Sequence, residues 1–190
     1  MPVLKTSGYL VGQLLIAMPQ MRDPRFTRTV VYLCAHTADG AMGIVINRMF
    51  DGLTFPELLE QLDIAVKPGC DDVGIHFGGP VEGGRGFVLH STDYMHETSM
   101  LVDDSVALTA TVDILKAISE GLGPQARLLA LGYAGWGAGQ LDAEIRDNVW
   151  LNVPADADLL FANDFERKWE RSIHKLGIDF GSLSGDAGHA

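Results

Sequence analysis

Cysteine is scarce in this chain: Cys34 and Cys70 are the two in 190 residues. A chain of this length can bury a core of its own, so two thiols argue against a disulfide scaffold and for a reducing compartment. Long apolar runs are missing as well. The longest, such as residues 14–18 and 44–46, fall far short of the ~20 residues that span a bilayer. The opening Met1-Pro2-Val3-Leu4-Lys5 leads into no apolar stretch followed by a small-residue cleavage site, so export by a signal peptide is not expected. Together these absences predict a cytoplasmic protein with no membrane partner.

Basic charge is also short, with 14 Lys and Arg against 25 Asp and Glu and a net charge of −11. The imbalance is uneven. Residues 1–50 carry five basic and two acidic side chains, and the remaining chain nine and 23. Phosphate backbones require a basic face, which only the N-terminal quarter could supply, so the composition argues against direct nucleic-acid binding. What the chain does have is a globular share of apolar residues, 47%, enough to exclude intrinsic disorder. One domain over residues 1–180 is expected, followed by a loose tail at 181–190 (GSLSGDAGHA).

Strand signals dominate the first half. Residues 14–17 (LLIA), 29–34 (TVVYLC) and 43–47 (GIVIN) are short apolar runs bounded by turn residues, the pattern of strands buried on both faces, and Asp39-Gly40 marks a hairpin between two of them. Thr54 with Glu57 forms a capping box before a helical stripe of Phe55, Leu58, Leu59 and Leu62. Residues 74–86 hold six glycines and read as an irregular, functional loop, after which residues 87–90 resume as a strand. Residues 106–108 are a weak strand. Thr109 is placed to cap a helix running through Val112, Leu115 and Ile118 to Gly121, and residues 128–131 form a further strand. Residues 140–149 read as a helix, and a last one, capped by Asp164, carries Phe165, Trp169, Ile173 and Leu176 to a stop at Gly177. Three strands precede the first helix, so a mixed-sheet α+β domain is expected rather than a doubly wound parallel sheet.

Familiar catalytic signatures are absent. There is no Cys-x-x-Cys, no Gly-x-Ser-x-Gly and no phosphate-loop Lys, and His96-Glu97 lacks the second His of a zinc protease. Gly132, Gly135, Gly137 and Gly139 follow a strand and precede a helix, the layout that cradles phosphate, but their spacing fits no nucleotide code and Asp142 and Glu144 would repel an anion. They read instead as structural glycines packed around Trp136. Cys34 and His36, two apart in a strand, are placed to share a face, where an imidazolium could lower the thiol pKa. The bland reading is a small core thiol and a loop histidine. His36, His76, His90 and His96 have no spacing typical of a metal ligand set, so no metal or cofactor is expected. Arg22, Arg25 and Arg28 read as a solvated loop pairing with Asp23.

Several stretches resemble the bacterial AlgH/YqgE family over nearly the whole chain to about residue 177. They are residues 12–19 (GQLLIAMP), 26–36 (FTRTVVYLCAH), 40–48 (GAMGIVINR), 77–81 (FGGPV), 86–90 (GFVLH) and 131–141 (LGYAGWGAGQL), followed by Glu144-Ile145 and residues 148–151 (NVWL). The resemblance implies an α+β fold with a bent, bifurcated sheet that includes a small barrel, surrounded by helices. It implies no defined activity; the family is linked by name to bacterial transcriptional regulation. Family members commonly carry Glu where this chain has Ala35, which weakens a catalytic reading of the Cys-x-His pair.

Two functions from different classes follow. The favoured one is a non-enzymatic cytoplasmic binding or regulatory protein that contacts a protein or small ligand through Asn47, the Gly78-Gly79-Pro80 loop, Trp136 and Gln140, because family-specific residues concentrate in loops. The alternative is a small-molecule enzyme using a Cys34/His36 pair with His90 as base.

Overall fold

The computed structural model describes residues 10–69 and 73–177; Cys70 and the tail expected at 181–190 lie outside the described residues. The first three strands are β1 (Gln13–Ala17), β2 (Val30–Thr37) and β3 (Gly40–Val45), paired antiparallel in sequence order. Alternate residues feed different cores. Leu14, Ile16, Val30, Tyr32 and Ile44 face one cluster, while Leu15, Ala17, Val31, Leu33 and Val45 face another. Burial on both faces is why these strands read as continuous apolar runs.

Helix α1 (Phe55–Gln61) begins where the capping box placed it: the Thr54 hydroxyl accepts from the Glu57 amide, and the Glu57 carboxylate accepts from the Thr54 amide. The glycine-rich stretch departs from its reading as an irregular loop, since it contains β4 (Ile75–Phe77) and the start of β5 (Val81–Ser91). Next come β6 (Met100–Leu101), β7 (Val106–Thr109) and α2 (Val112–Ser119). Thr109 belongs to β7 rather than capping α2, because its hydroxyl is taken by His90 and Ser99. Thr111 stands at the cap position without a capping hydrogen bond.

Strand β8 (Arg127–Trp136) leads to α3 (Gln140–Arg146), which stops three residues short of the expected end. Beyond it, β9 (Trp150–Pro154) and the short α4 (Ala157–Phe161) were not anticipated. The last helix is split. A 3-10 turn at Phe165–Arg167 precedes α5 (Lys168–Lys175), and Asp164 makes no cap because its carboxylate pairs with Arg171. Gly177 takes the expected left-handed conformation, φ 75°.

The strand order is β6-β7-β5-β8-β3-β2-β1-β9, with β4 added parallel to β8. Strand β8 is the branch point, holding β5 on one edge and both β3 and β4 on the other. The sheet is therefore bent and bifurcated, and it curls into an antiparallel half-barrel with helices around it, a single α+β domain. The largest cluster lies between the curl and α4 and α5, centred on Tyr32, Phe87, Leu160, Trp169 and Ile173. A second packs α1 and α2 on β4, β5 and β8. The third gathers Trp136, Leu141 and Trp150 beneath α3.

Residues 78–80 carry the chain from β4 to β5 across this branch point. The Gly78 carbonyl accepts from the Val45 amide and its own amide donates to the Leu131 carbonyl. Gly79 has φ +152°, and a Cβ there would lie 2.1 Å from the Tyr133 carbonyl carbon. Only glycine fits such a close approach between two backbones.

Candidate functional site

The candidate Cys34–His36 pair is not formed, and Cys34 is the core thiol of the bland reading. Strand β2 carries a bulge between Leu33, opposite Gly43, and Ala35, opposite Met42, so Cys34 is the extra residue. A bulge breaks the two-residue alternation. Cys34 consequently points into the largest cluster, and His36 to the opposite face, toward α3. Burial pushes the Cys34 thiol well above its ordinary pKa, the reverse of an activated nucleophile. His36 accepts the Leu10 amide at Nδ1 (3.2 Å) and therefore donates from Nε2 to Asp142 (3.1 Å). His90 sits in the other half of the sheet, between the Ser91 carbonyl (2.9 Å) and the Thr109 hydroxyl (2.7 Å). Burial lowers its pKa, opposed in part by the Ser91 carbonyl. The three candidates thus occupy three separate environments. Among the described residues, no group of three or more His, Cys, Asp or Glu side chains is arranged to hold a metal ion.

Most of the expected binding residues are engaged by the fold itself. Asn47 extends the β2 ladder, accepting the Val30 amide (2.9 Å) and donating to the Arg28 carbonyl (2.9 Å). Gln140 accepts the Gly137 amide and donates to Glu144. The other Glu144 oxygen accepts both indole N–H groups, from Trp136 at 3.0 Å and Trp150 at 2.9 Å. The glycines around Trp136 therefore close a packed tryptophan pair, with ring centroids 5.8 Å apart, rather than a phosphate cradle. Arg25 clasps Asp23 with two nitrogens, as the arginine loop predicted.

Gln140 is nonetheless exposed, and the buried Trp136 borders an open surface. Trp136 lines a cleft of about 590 Å³ between the β2–β3 turn, β5 and the end of β8. Ala35, Met42, Val81, Phe87 and Tyr133 form its apolar floor, while Thr37, Asp39 and Arg85 stand at the rim. Phe87 and Tyr133 meet edge to face at 5.7 Å, and the Arg85 guanidinium lies 5.0 Å from the Phe87 ring centroid. Glu82 receives the Tyr133 hydroxyl (3.2 Å) and approaches Arg85 (3.6 Å). Desolvation and then the Glu82 charge hold the Tyr133 hydroxyl protonated, above its ordinary pKa. The cleft thus joins an aromatic floor to one acidic and one basic side chain, Asp39 and Arg85. The sequence singled out Ala35 as a departure from the resembling family, and the structure places it in this floor. Met42, Tyr133 and the Arg85–Phe87 pair come from three strands far apart in sequence, β3, β8 and β5, so no local pattern grouped them.

Comparison with known proteins fits this geometry. The AlgH-like family matches residues 14–181. A UPF0301 protein of Rhodospirillum rubrum is 58% identical over the full length of both chains. One from Rhodopseudomonas palustris is 55% identical, covering 98% of this chain and 89% of its own. Among solved structures, the solution structure of AlgH from Pseudomonas aeruginosa superposes with a TM-score of 0.79 at 43% identity over all of both chains. A Corynebacterium diphtheriae protein at 16% identity, covering 90% of this chain and 89% of its own, shares the fold with a TM-score of 0.71. With the family model matched over residues 14–181 and a relative 58% identical over the whole of both chains, this chain belongs to the AlgH-like, UPF0301 family.

Proposed function

We propose that this protein is a non-enzymatic binding or regulatory protein of the bacterial cytoplasm, and that it meets its partner through the cleft between the β2–β3 turn, β5 and β8. One observation carries this reading: the cleft is lined by half-buried Met42 and Tyr133 over buried Phe87 and Trp136, with opposite charges beside them (Asp39, Arg85), while the candidate catalytic side chains are tied into the fold elsewhere. Aromatic and arginine groups are the usual anchors of protein interfaces. The net charge of −11 favours a basic or neutral partner over nucleic acid.

The test is affinity capture from bacterial lysate with the wild type and with a Thr37→Arg/Arg85→Glu variant, which fills the mouth at position 37 and reverses the charge at position 85 while leaving the core intact. At least one protein or small molecule retained by the wild type is expected to be lost from the variant. Identical retained sets from two equally folded proteins would refute the assignment to this cleft.

A further inference from the structure

On the other side of β8 lies a second cavity, of about 580 Å³, which shares no lining residue with the cleft. It arises from a register mismatch. Strand β4 starts at Ile75, opposite Leu129, so the part of β8 before Leu129 has no strand beside it on that edge. The gap is walled instead by Met49, Leu128, Phe161 and Phe165, which give it an apolar lining. Its outer wall, the end of α4 and the 3-10 turn, is fixed from within. The buried Lys168 ammonium donates to the Leu160 carbonyl (2.7 Å) and to the Ile46 carbonyl (3.1 Å), strapping the end of α4 to the sheet.

Four polar side chains converge on this space: His76, Gln125, Arg127 and Asn163. His76 is the most constrained. Its Nδ1 lies 3.3 Å from the Leu129 carbonyl, which can only accept, so Nδ1 carries the proton and Nε2 is a bare acceptor. Its ring meets Phe165 edge to face, which fixes its plane. Desolvation, and then the charge of Lys168, push its pKa down to about 4. At neutral pH the imidazole is therefore too weak a base for proton abstraction and acts as a fixed acceptor. Among the described residues of the lining, Arg127 is the one ionised side chain and none is a carboxylate.

We propose that this cavity is a binding site for a small organic anion with an aromatic or similarly flat apolar body, its carboxylate or phosphate held by Arg127 and a hydroxyl or N–H group donated to His76 Nε2. The apolar walls take the body, and Gln125 and Asn163 offer further hydrogen bonds at its edges. A ligand without a donor leaves the desolvated Nε2 unpaired, which is how such a site discriminates. One without an anion forgoes the charge-assisted contact with Arg127.

The test is amide chemical-shift titration of the full chain with four probes: 4-hydroxybenzoate, benzoate, 4-hydroxybenzyl alcohol and inorganic phosphate. Saturable shifts are expected at His76, Leu129, Asn163 and Phe165 with 4-hydroxybenzoate, and at least fivefold weaker binding of each of the other three. Arg127→Gln should weaken 4-hydroxybenzoate at least fivefold. His76→Phe, which keeps the ring contact with Phe165, should abolish the preference for 4-hydroxybenzoate over benzoate; Arg127 is exposed, so its variant remains a test should the His76 variant not fold. Three results would overturn the proposal: no saturable shift with any probe, shifts centred on Tyr133 and Trp136 instead, or unchanged binding in Arg127→Gln. Phosphate binding as tightly as 4-hydroxybenzoate would equally overturn the assignment to an organic anion.

Discussion

Glu144 carries more of this fold than any single motif in the sequence suggests. One of its oxygens receives the indole N–H groups of Trp136 and Trp150, and the other receives the Gln140 amide. Trp150 is 1% exposed and Trp136 8%, so neither indole can turn to solvent for a replacement acceptor. Glu144→Ala strands both donors, and each buried unsatisfied group costs about 1–3 kcal/mol. The expected loss is roughly 2–4 kcal/mol in urea unfolding, with unchanged strand content. Glu144→Gln keeps a carbonyl oxygen in place and should lose about half of that. Equal losses in the two variants would mean that charge, rather than acceptance of the indole protons, is what matters. The same residue explains what the glycines beside Trp136 close upon: Trp136 and Gln140 each donate to Glu144, which fixes both on the end of β8 and the start of α3.

At the scale of elements, legibility followed how locally each element is specified. Helix α1 was readable because its capping box is four consecutive residues, and β1 to β3 because burial on both faces writes an unbroken apolar run. Strands β4 and β9, of three and five residues, exist only through pairing with distant partners, and β6, of two residues, pairs with the neighbouring β7 but is too short for any periodicity to announce it. The bulge in β2 was invisible for the same reason. It depends on how β3 sits alongside, yet it alone separates Cys34 from His36 and so removes the sharpest chemical candidate. The cleft and the second cavity were illegible as sites, since each draws on segments far apart in sequence. The β4–β5 crossing was half legible: its glycines were noticed, but not that they let one backbone lie on another. Gly79→Ala and Gly121→Ala separate the two reasons for a glycine. Both positions have positive φ, +152° and +78°, but a Cβ at Gly121 meets nothing within 4 Å, whereas at Gly79 it meets the Tyr133 backbone. Gly121→Ala should cost about 1–2 kcal/mol of left-handed strain. Gly79→Ala should cost well over 3 kcal/mol or leave no soluble protein. Similar melting temperatures for the two variants would show that the crossing opens more easily than its backbone contacts indicate.

For the molecule as a whole, an acidic surface around a core holding an ammonium and a thiol makes alkaline pH the informative range. Burial lowers the Lys168 pKa to about 8, against about 10.4 in an unfolded chain. Between these values the unfolded chain holds a proton that the folded one has released, so this group makes stability rise with pH. Below pH 8 the cost of burying its charge is present in full. Cys34 acts in the opposite sense. Its thiol stays protonated in the fold, while the unfolded thiol ionises above about 8.5, so its contribution falls as pH rises. Tyr32, also pushed up by burial, adds to that fall only above about pH 10. The wild type should consequently show a shallow profile between pH 7.5 and 9.5, with two slopes offsetting each other. Lys168→Met removes the rising one. Its absolute stability also reflects the carbonyls of Ile46 and Leu160 left without their donor, so the slope rather than the level is diagnostic. Chemical unfolding at a series of pH values should show Lys168→Met losing stability steeply across this range, diverging from wild type by up to about 3 kcal/mol at the ceiling set by the full pKa difference. Cys34→Ala should instead gain relative to wild type as pH rises. Parallel profiles for Lys168→Met and wild type would mean that Lys168 keeps its ordinary pKa in the fold, and that the strap between α4 and the sheet is open to water.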